Sequence, residues 1–401
     1  MSVGVLLKTP NFLGLLTANT ILAAAFPIQL ILGGLVGLML APSPGLATLP
    51  ASVQTLAALL VAAPVSLLMG RFGRRMGFAL GGVLTTLGAL AATQAVFAQS
   101  FALLCAAHFL MGAGWSAFQY FRFAAGEVAP PGWRPVAISL MLTSGLVAAI
   151  VGPQLFIATK DALLPIPFAG AYLVIATIGL VGLAPLAIVR LTRPAPAQPS
   201  AATPPKGRLA ALSALRRRPI RRAIAIAATA QGIMAFLMIP TPIAMIECGF
   251  NDTTASDVIR WHIVAMFAPS FVTGFLIKRF GVERIATIGL LTILAAAGSA
   301  SLGITAAHFY GALIVLGVGW NFAFIGATTM LDAAVSEDEK SAIQGLNDTV
   351  IALVSTICAF AAGAVVTLLG WSVLTLVSAG VIVAILAFLM LDRPALTGSR
   401  A

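Results

Sequence analysis

The sequence predicts an all-α membrane protein whose twelve transmembrane helices form two pseudo-symmetric six-helix bundles. Three observations predict it. Hydrophobic residues make up 60% of the 401 positions and charged residues only 9%, at a mean hydropathy of +1.04; a soluble domain of this length does not combine those proportions. The apolar residues gather into twelve charge-poor stretches. Short motifs also recur from the first six stretches to the last six at a nearly constant offset.

A bilayer core about 30 Å thick needs roughly 20 apolar residues per helix. Stretches that meet this need run over 11–40, 50–69, 77–97, 101–125, 136–158, 166–189, 223–246, 261–277, 285–304, 309–331, 342–366 and 371–391. The first is about twice as long as the apolar part of a signal peptide, and eleven spans follow it, so it reads as a helix and not as a cleaved leader. Cys105, Cys248 and Cys358 fall in or beside separate helices with no CxxC or CxxH pattern. Neither a disulfide framework nor a metal site is suggested.

The net charge of +11 is one-sided. Lys8, Arg71, Arg74, Arg75, Arg134, the cluster from Arg190 to Arg222, Lys278, Arg279, Arg284, Lys340, Arg393 and Arg400 share one side of the twelve-span topology, and only Lys160 and Arg260 fall on the other. Cations concentrate on the cytoplasmic side of membrane proteins. A multi-pass protein of the bacterial inner membrane is therefore expected, with both termini cytoplasmic and the charge facing headgroups instead of nucleic acid.

The longest stretch outside the spans combines a Pro/Ala/Ser tract, Arg193 to Pro205, with the basic run Arg216 to Arg222. It divides the chain into an N-terminal bundle (1–191), a cytoplasmic linker (192–222) and a C-terminal bundle (223–401). A flexible linker beside anionic headgroups accounts for this composition, and a dedicated lipid or partner site is the other reading.

The two halves repeat. Arg71-Phe72-Gly73 recurs as Arg279-Phe280-Gly281 after 208 residues, Gly112-Ala113-Gly114-Trp115 as Gly317-Val318-Gly319-Trp320 after 205, and Ala137-Ile138 as Ala342-Ile343 after 205. Three matches in order imply two copies of the same topology, and parallel repeats place a solute site between the halves near mid-membrane.

Helix count, topology, linker and repeat together resemble a bacterial twelve-helix permease of the major facilitator superfamily over essentially the whole chain. That family carries a Gly-x3-Asp-Arg-x-Gly-x-basic pattern between helices 2 and 3. Here Arg71, Gly73 and Arg75 match it, while Ser66 and Gly70 replace the first Gly and the Asp. In the second copy Gly274, Arg279, Gly281 and Arg284 are kept and Lys278 replaces the Asp. The resemblance implies a gating role for Arg71, Gly73, Arg75, Arg279 and Gly281, with the usual acidic partners missing. Asp348, about two turns into helix 11, is a substitute acid whose expected partner is Arg71 or Arg74. An ion pair, proton coupling and interfacial solvation all fit it.

The resemblance also implies that helices 1, 4, 7 and 10 surround the cavity. Helix 1 supplies Asn19 and Gln29, and helix 7 supplies Gln231 with the bending sites Pro240 and Pro242. In helix 4, His108 takes a position where family members carry an arginine implicated in proton coupling. An imidazole, with an ordinary pKa of ~6.5, is suited to that work, and a neutral, hydrogen-bonded histidine is the alternative. Trp115, Gln119 and Arg122 follow at spacings that share a helix face. Arg122 fits either an anion site or snorkelling to the boundary. Helix 10 brings Trp320, Asn321 and Phe324 to the matching depth. Two tryptophans beside amide groups suit a flat or amphipathic solute, unless each packs only against neighbouring helices. Gly152-Pro153 in helix 5 is the core of a pattern that the family's antiporters carry, without its flanking glycines.

No phosphate loop, HExxH or GxSxG motif is present, so an enzyme is not expected and no cofactor is called for. The expected function is secondary active transport of a small neutral, amphipathic or aromatic solute by a monomer in the lipid bilayer, with the proton as coupling ion and the direction open. A transport-inactive sensor or scaffold with the same fold is the competing reading.

Overall fold

The computed structural model describes residues 6, 8–130, 133–191 and 213–392. The tract from Arg193 to Pro205, Arg393 and Arg400 lie outside the described residues, as do the side chains of Arg134 and Lys340. The helices are α1a (Pro10–Ala23), α1b (Ala25–Leu40), α2 (Leu49–Phe72), α3 (Arg74–Phe97), α4a (Phe101–Phe118), α4b (Phe121–Val128), α5 (Arg134–Thr159) and α6 (Ala169–Val181) in the first half. The second half holds α7a (Arg218–Met238), α7b (Thr241–Glu247), α8a (Asp252–Phe267), α8b (Ser270–Phe280), α9 (Val282–Ser301), α10 (Ala306–Ala334), α11 (Glu337–Leu369) and α12 (Trp371–Leu391).

Ten passes are long and apolar enough to cross a bilayer as they stand, and α8a with α8b, bent by 41°, makes another. The 26-residue α5, apolar through Thr143–Thr159, completes the twelve. Helices satisfy every backbone donor within the segment, which lipid requires. Leu67, Phe275, Leu302, Leu368 and Leu391 stand fully outward, an apolar covering suited to hydrocarbon chains.

Several boundaries differ from the sequence expectation. Helix 8 begins at Asp252, nine residues before the expected 261, because Asp252, Asp257 and Arg260 break the apolar window without breaking the helix. Asn251 caps it, accepting from the Thr254 N–H at 2.8 Å, and Arg260 pairs with Asp257 inside it. Helix 7 begins at Arg218, within the expected linker. Its arginines hold the second half together: Arg217 reaches Glu339 at 2.9 Å, Arg221 pairs with Asp392, and Arg222 donates to the carbonyl of Leu389 at 3.1 Å. The hydrogen bond from Arg221 holds the Asp392 carboxyl below the usual carboxylate range.

The repeat is geometric as well as textual. A Cβ at Gly112 would collide with the Gln54 carbonyl of α2, and one at Gly317 would lie 2.6 Å from the His262 carbonyl of α8a, 208 residues further on. Two residues on, on the opposite side of the helix, Gly114 faces the carbonyl of Gly81 and Gly319 that of Gly289, at 2.6 and 2.9 Å from such an imagined Cβ. Without a hydrophobic force between helices in lipid, such close approach supplies the packing. Between α2 and α3, and again between α8b and α9, a single glycine reverses the chain: Gly73 at φ 91° and Gly281 at φ 89°, a region that side chains rarely adopt.

The halves meet through α1b with α7b and α8a, α2 with α11, and α5 with α8a. These contacts run from mid-span, where Gly145 lies against the Phe267 ring, to the face opposite the termini, here called the far face. Gly34 lies against Pro242 and Ile243, Ser52 Oγ donates to the Ala359 carbonyl at 2.8 Å, and Lys160 reaches Asp252 at 3.1 Å. Desolvation lowers the basicity of Lys160, but hydrogen bonds and charge from Asp161 and Asp252 outweigh it and hold the ammonium above the ordinary lysine value. Toward the terminal face α1a packs on α5 and α4b, and α7a on α10, α11 and α12, each within its own half. Gly70, Gly274 and Gly345 there have open space where a Cβ would stand. Among the described residues, the contacts named between the halves lie at mid-span and the far face, and the halves part toward the terminal face.

The glycine contacts make a direct prediction. Gly112→Val and Gly317→Val should each sharply reduce the yield of monodisperse protein and its Tm, whereas Gly345→Ala should leave both unchanged. Size-exclusion profiles and thermal unfolding in detergent test this, and an unaltered Gly112→Val would refute the role of the close approach.

Candidate functional site

The two tryptophans occupy matching places. Trp115 of α4a is half-buried and stacks on Phe26 of α1b, with ring centroids 4.2 Å apart and planes at 18°, while Phe118 meets its edge. Trp320 of α10 is half-buried and stacks on Phe324 at 4.8 Å and 15°, with Phe267 of α8a at its edge. Its indole N–H donates to Gln231 Oε1 of α7a at 2.9 Å. Phe26 and Gln231 are themselves 205 residues apart. Helices 1, 4, 7 and 10 thus each place an aromatic or amide group at equivalent positions in the two halves.

Gln119 and Arg122, expected on the Trp115 face, are both exposed, and the break at Gln119–Tyr120 separates them. Asp348 of α11 is exposed, and the cation whose charge acts on it is Arg122, from the other half. This corrects the expectation of Arg71 or Arg74. Arg74 is held by a forked contact with Glu127 of α4b at 2.5 to 3.0 Å, and Arg71 lies over the Phe72 ring at 5.3 Å. Arg75 donates to the Ala187 carbonyl beyond α6 at 3.2 Å, and Arg279 covers Phe280 as Arg71 covers Phe72. Arg74 and Arg75 of the 2-3 loop therefore tie helices within one half.

His108 is fully buried at the centre of a polar chain. Its Nδ1 lies 2.9 Å from Gln54 Oε1 and its Nε2 lies 2.9 Å from the Tyr172 hydroxyl. Gln54 Nε2 in turn donates to Gln29 Oε1 at 2.9 Å. An amide oxygen accepts only, so Nδ1 carries the proton and Nε2 accepts from Tyr172. A neutral imidazole satisfies every contact, and α1b, α2, α4a and α6 are joined through it. In the second half, His262, at the position matching Gln54, donates from Nδ1 to the Leu313 carbonyl at 2.7 Å, and Leu313 matches His108.

The remaining amides also brace helices. Asn19 donates to Met141 O at 3.2 Å and to Ser144 Oγ, linking α1a to α5. Asn321 is buried, donates to Met266 O at 2.7 Å and to Ser270 Oγ, and accepts from Thr273 at 2.6 Å. It holds α10 across the bend of helix 8. Sequence reasoning missed Gln54, Tyr172, Phe26 and Phe267. Gln54 had a usable signal, since it is a lone amide in an apolar span with a histidine at its repeat position; the two phenylalanines had none, because nothing separates them from other apolar residues.

A sequence model of the Major Facilitator Superfamily matches residues 11–355. The chain is 38% identical over 363 residues to the riboflavin transporter RfnT of Brucella anthropi, covering 90% of each. It is 30% identical over 345 residues to the uncharacterized MFS-type transporter YdeG of Bacillus subtilis, covering 80% of this chain and 77% of that one. Among solved structures, the nucleoside transporter NupG matches with a TM-score of 0.71 at 14% identity, covering 96% and 99% of the two chains. The fucose:proton symporter FucP of E. coli matches at 0.61 and 18%, covering 96% and 98%. At these identities the solved structures share the fold.

The buried chain through His108 predicts measurable coupling. Hydrogen bonds between membrane helices average about 0.6 kcal/mol and reach about 1.7. A double-mutant cycle of His108→Ala and Tyr172→Phe, read by unfolding in detergent, should give a coupling energy in that range. Strictly additive effects would show that the bond does not form.

Proposed function

The chain belongs to the Major Facilitator Superfamily, and on that premise we propose that it carries riboflavin or a closely similar flat heteroaromatic solute across the membrane by proton-coupled alternating access. The observation that carries this reading is the pair of aromatic groups, Phe26 with Trp115 and Trp320 with Phe324, set at equivalent positions on the helices around the parting of the halves. Ring systems of this kind bind a flat solute by stacking, in about 0.5–1.5 kcal/mol steps beyond the area buried. A relative covering 90% of the chain is a riboflavin transporter, and isoalloxazine is such a ring system.

The charge bias supports a cytoplasmic terminal face. The opening described above is then inward, and the solute reaches the tryptophans from the cytoplasmic side in this state. The charge of Arg122 acts on Asp348 from the other half, and the two serve as the charge couple that a proton modulates. Protonating Asp348 removes its attraction for Arg122 and so shifts the relative stability of the open and closed arrangements. His108, with both nitrogens engaged, acts as a brace in this arrangement.

Two outcomes are expected. Purified protein should quench riboflavin fluorescence saturably and gain Tm with riboflavin present, and Trp115→Ala and Trp320→Ala should each weaken binding about tenfold, a loss of about 1.4 kcal/mol. No binding by the wild-type protein would reject the flavin reading, and a transport-inactive scaffold would show no stabilisation by any solute. In proteoliposomes, Asp348→Asn should abolish accumulation driven by a pH gradient while retaining riboflavin counterflow. Undiminished accumulation would remove Asp348 from coupling.

A further inference from the structure

The Trp320 indole nitrogen carries a hydrogen and no acceptor lone pair. Its 2.9 Å contact with Gln231 can therefore form only through the carboxamide oxygen, and the orientation of that amide is set by chemistry. Nε2 must point away from Trp320. Among the described residues no group accepts from Nε2, yet it is not a buried atom left without a partner, so it reaches open space. Gln231 is half-buried.

The symmetry mate of Gln231 is Phe26, packed face to face on Trp115. Helices 1 and 7 touch where Gly34 meets the Ile239 carbonyl, Pro242 and Ile243. Phe26 lies eight residues before Gly34 and Gln231 eight residues before Ile239, about 12 Å at a helical rise of 1.5 Å per residue. Both thus stand at one depth on the open side of the closure. One side of this level is aromatic hydrocarbon, and the other offers two N–H donors with a fixed direction.

We infer that Gln231 is the specificity-determining donor of the site, giving its Nε2 hydrogens to ring nitrogen or carbonyl acceptors on one edge of a flat solute whose apolar edge lies toward Phe26 and Trp115. This rests on the flavin reading, and isoalloxazine has those two edges, a pyrimidine edge rich in acceptors and a methylated benzene edge. A site built to hydrogen-bond a solute rejects one lacking the partner, because the donor that such a solute covers is then left unpaired.

Gln231→Glu separates this role from simple support of Trp320. A carboxylate still accepts from the indole N–H but offers the solute no donor. Riboflavin affinity of the full-length protein, measured by fluorescence quenching, should fall at least tenfold in both Gln231→Glu and Gln231→Met. Wild-type affinity in Gln231→Glu with a loss in Gln231→Met would overturn the inference and leave Gln231 as a support for Trp320. Wild-type affinity in both would overturn it entirely. If Gln231→Glu fails to fold, wild-type affinity in Gln231→Met is sufficient to overturn it and a tenfold loss confined to riboflavin, with affinity for the acceptor-poor ring anthracene-2-sulfonate unchanged, supports it. Absence of riboflavin binding by the wild-type protein would overturn the flavin reading and this inference together, whereas the other failures leave the flavin reading standing.

Discussion

A glycine pressed against a backbone carbonyl sets the spacing on which the rest of the structure depends. Gly112 on Gln54 and Gly317 on His262 bring helix 4 to helix 2 and helix 10 to helix 8 at the same turn. In lipid the gain comes from dispersion and polar contact, both of which fall off steeply with distance, so a methyl group at either position would separate the helices. The consequences follow along the chain. Three residues after each glycine stands a tryptophan, whose depth and rotation are inherited from the contact. At the same turn the side chains of Gln54 and His262 are carried toward helices 4 and 10, where each finds a partner.

The frame is symmetric and its contents are not. His108 with Gln54 becomes Leu313 with His262, so a side-chain bridge in one half becomes a side chain bonded to a backbone carbonyl in the other. The first version ties four helices, because Gln29 and Tyr172 extend it at both ends. The second ties two. Polar groups of this kind in an apolar interior are strong constraints only when every member is satisfied, and the chain through His108 meets that condition with a neutral imidazole. The first bundle is therefore the better braced around its cavity-side helices, while both bundles have joints: helices 1 and 4 are broken at Ala24 and Gln119–Tyr120, and helices 7 and 8 at Ile239–Pro240 and Ala268–Pro269.

What the sequence disclosed and what it hid divide along physical lines. Apolar length and charge bias were legible because the bilayer imposes them on every span, and the repeats were legible because the matches fall in order at a nearly constant offset and one of them includes tryptophan, of which the chain has only five. The start of helix 8 was not, since hydropathy penalises Asp252, Asp257 and Arg260 while Asn251 caps the helix and Asp257 and Arg260 neutralise one another. The partner of Asp348 was misjudged because Glu127, in the short α4b, lies close enough to claim Arg74 in three dimensions and 53 residues away in sequence. Trp115, Trp320 and Gln231 could be singled out one by one. That Phe26 backs one tryptophan while Gln231 bonds to the other required coordinates, since a phenylalanine among so many apolar residues carries no mark of its partner.

The closure at the far face consists of many contacts, each weak. Lys160 with Asp252 is an ion pair at the water-facing ends of two helices, the kind that contributes about 1 kcal/mol or less. Ser52 with Ala359 is a single interhelical hydrogen bond, and other contacts are small residues against the opposite half: Gly34 on helix 7, and Gly363 of α11 on Thr48. None is a deeply buried ionic lock, whose rupture would leave unpaired charge in hydrocarbon at a cost of several kcal/mol. A carrier must keep its two arrangements within a few kcal/mol so that solute binding and a single protonation can shift the balance. Closing the molecule with dispersed small-residue contacts and a water-facing ion pair, and leaving the Arg122 and Asp348 charges of the two halves exposed, meets that requirement.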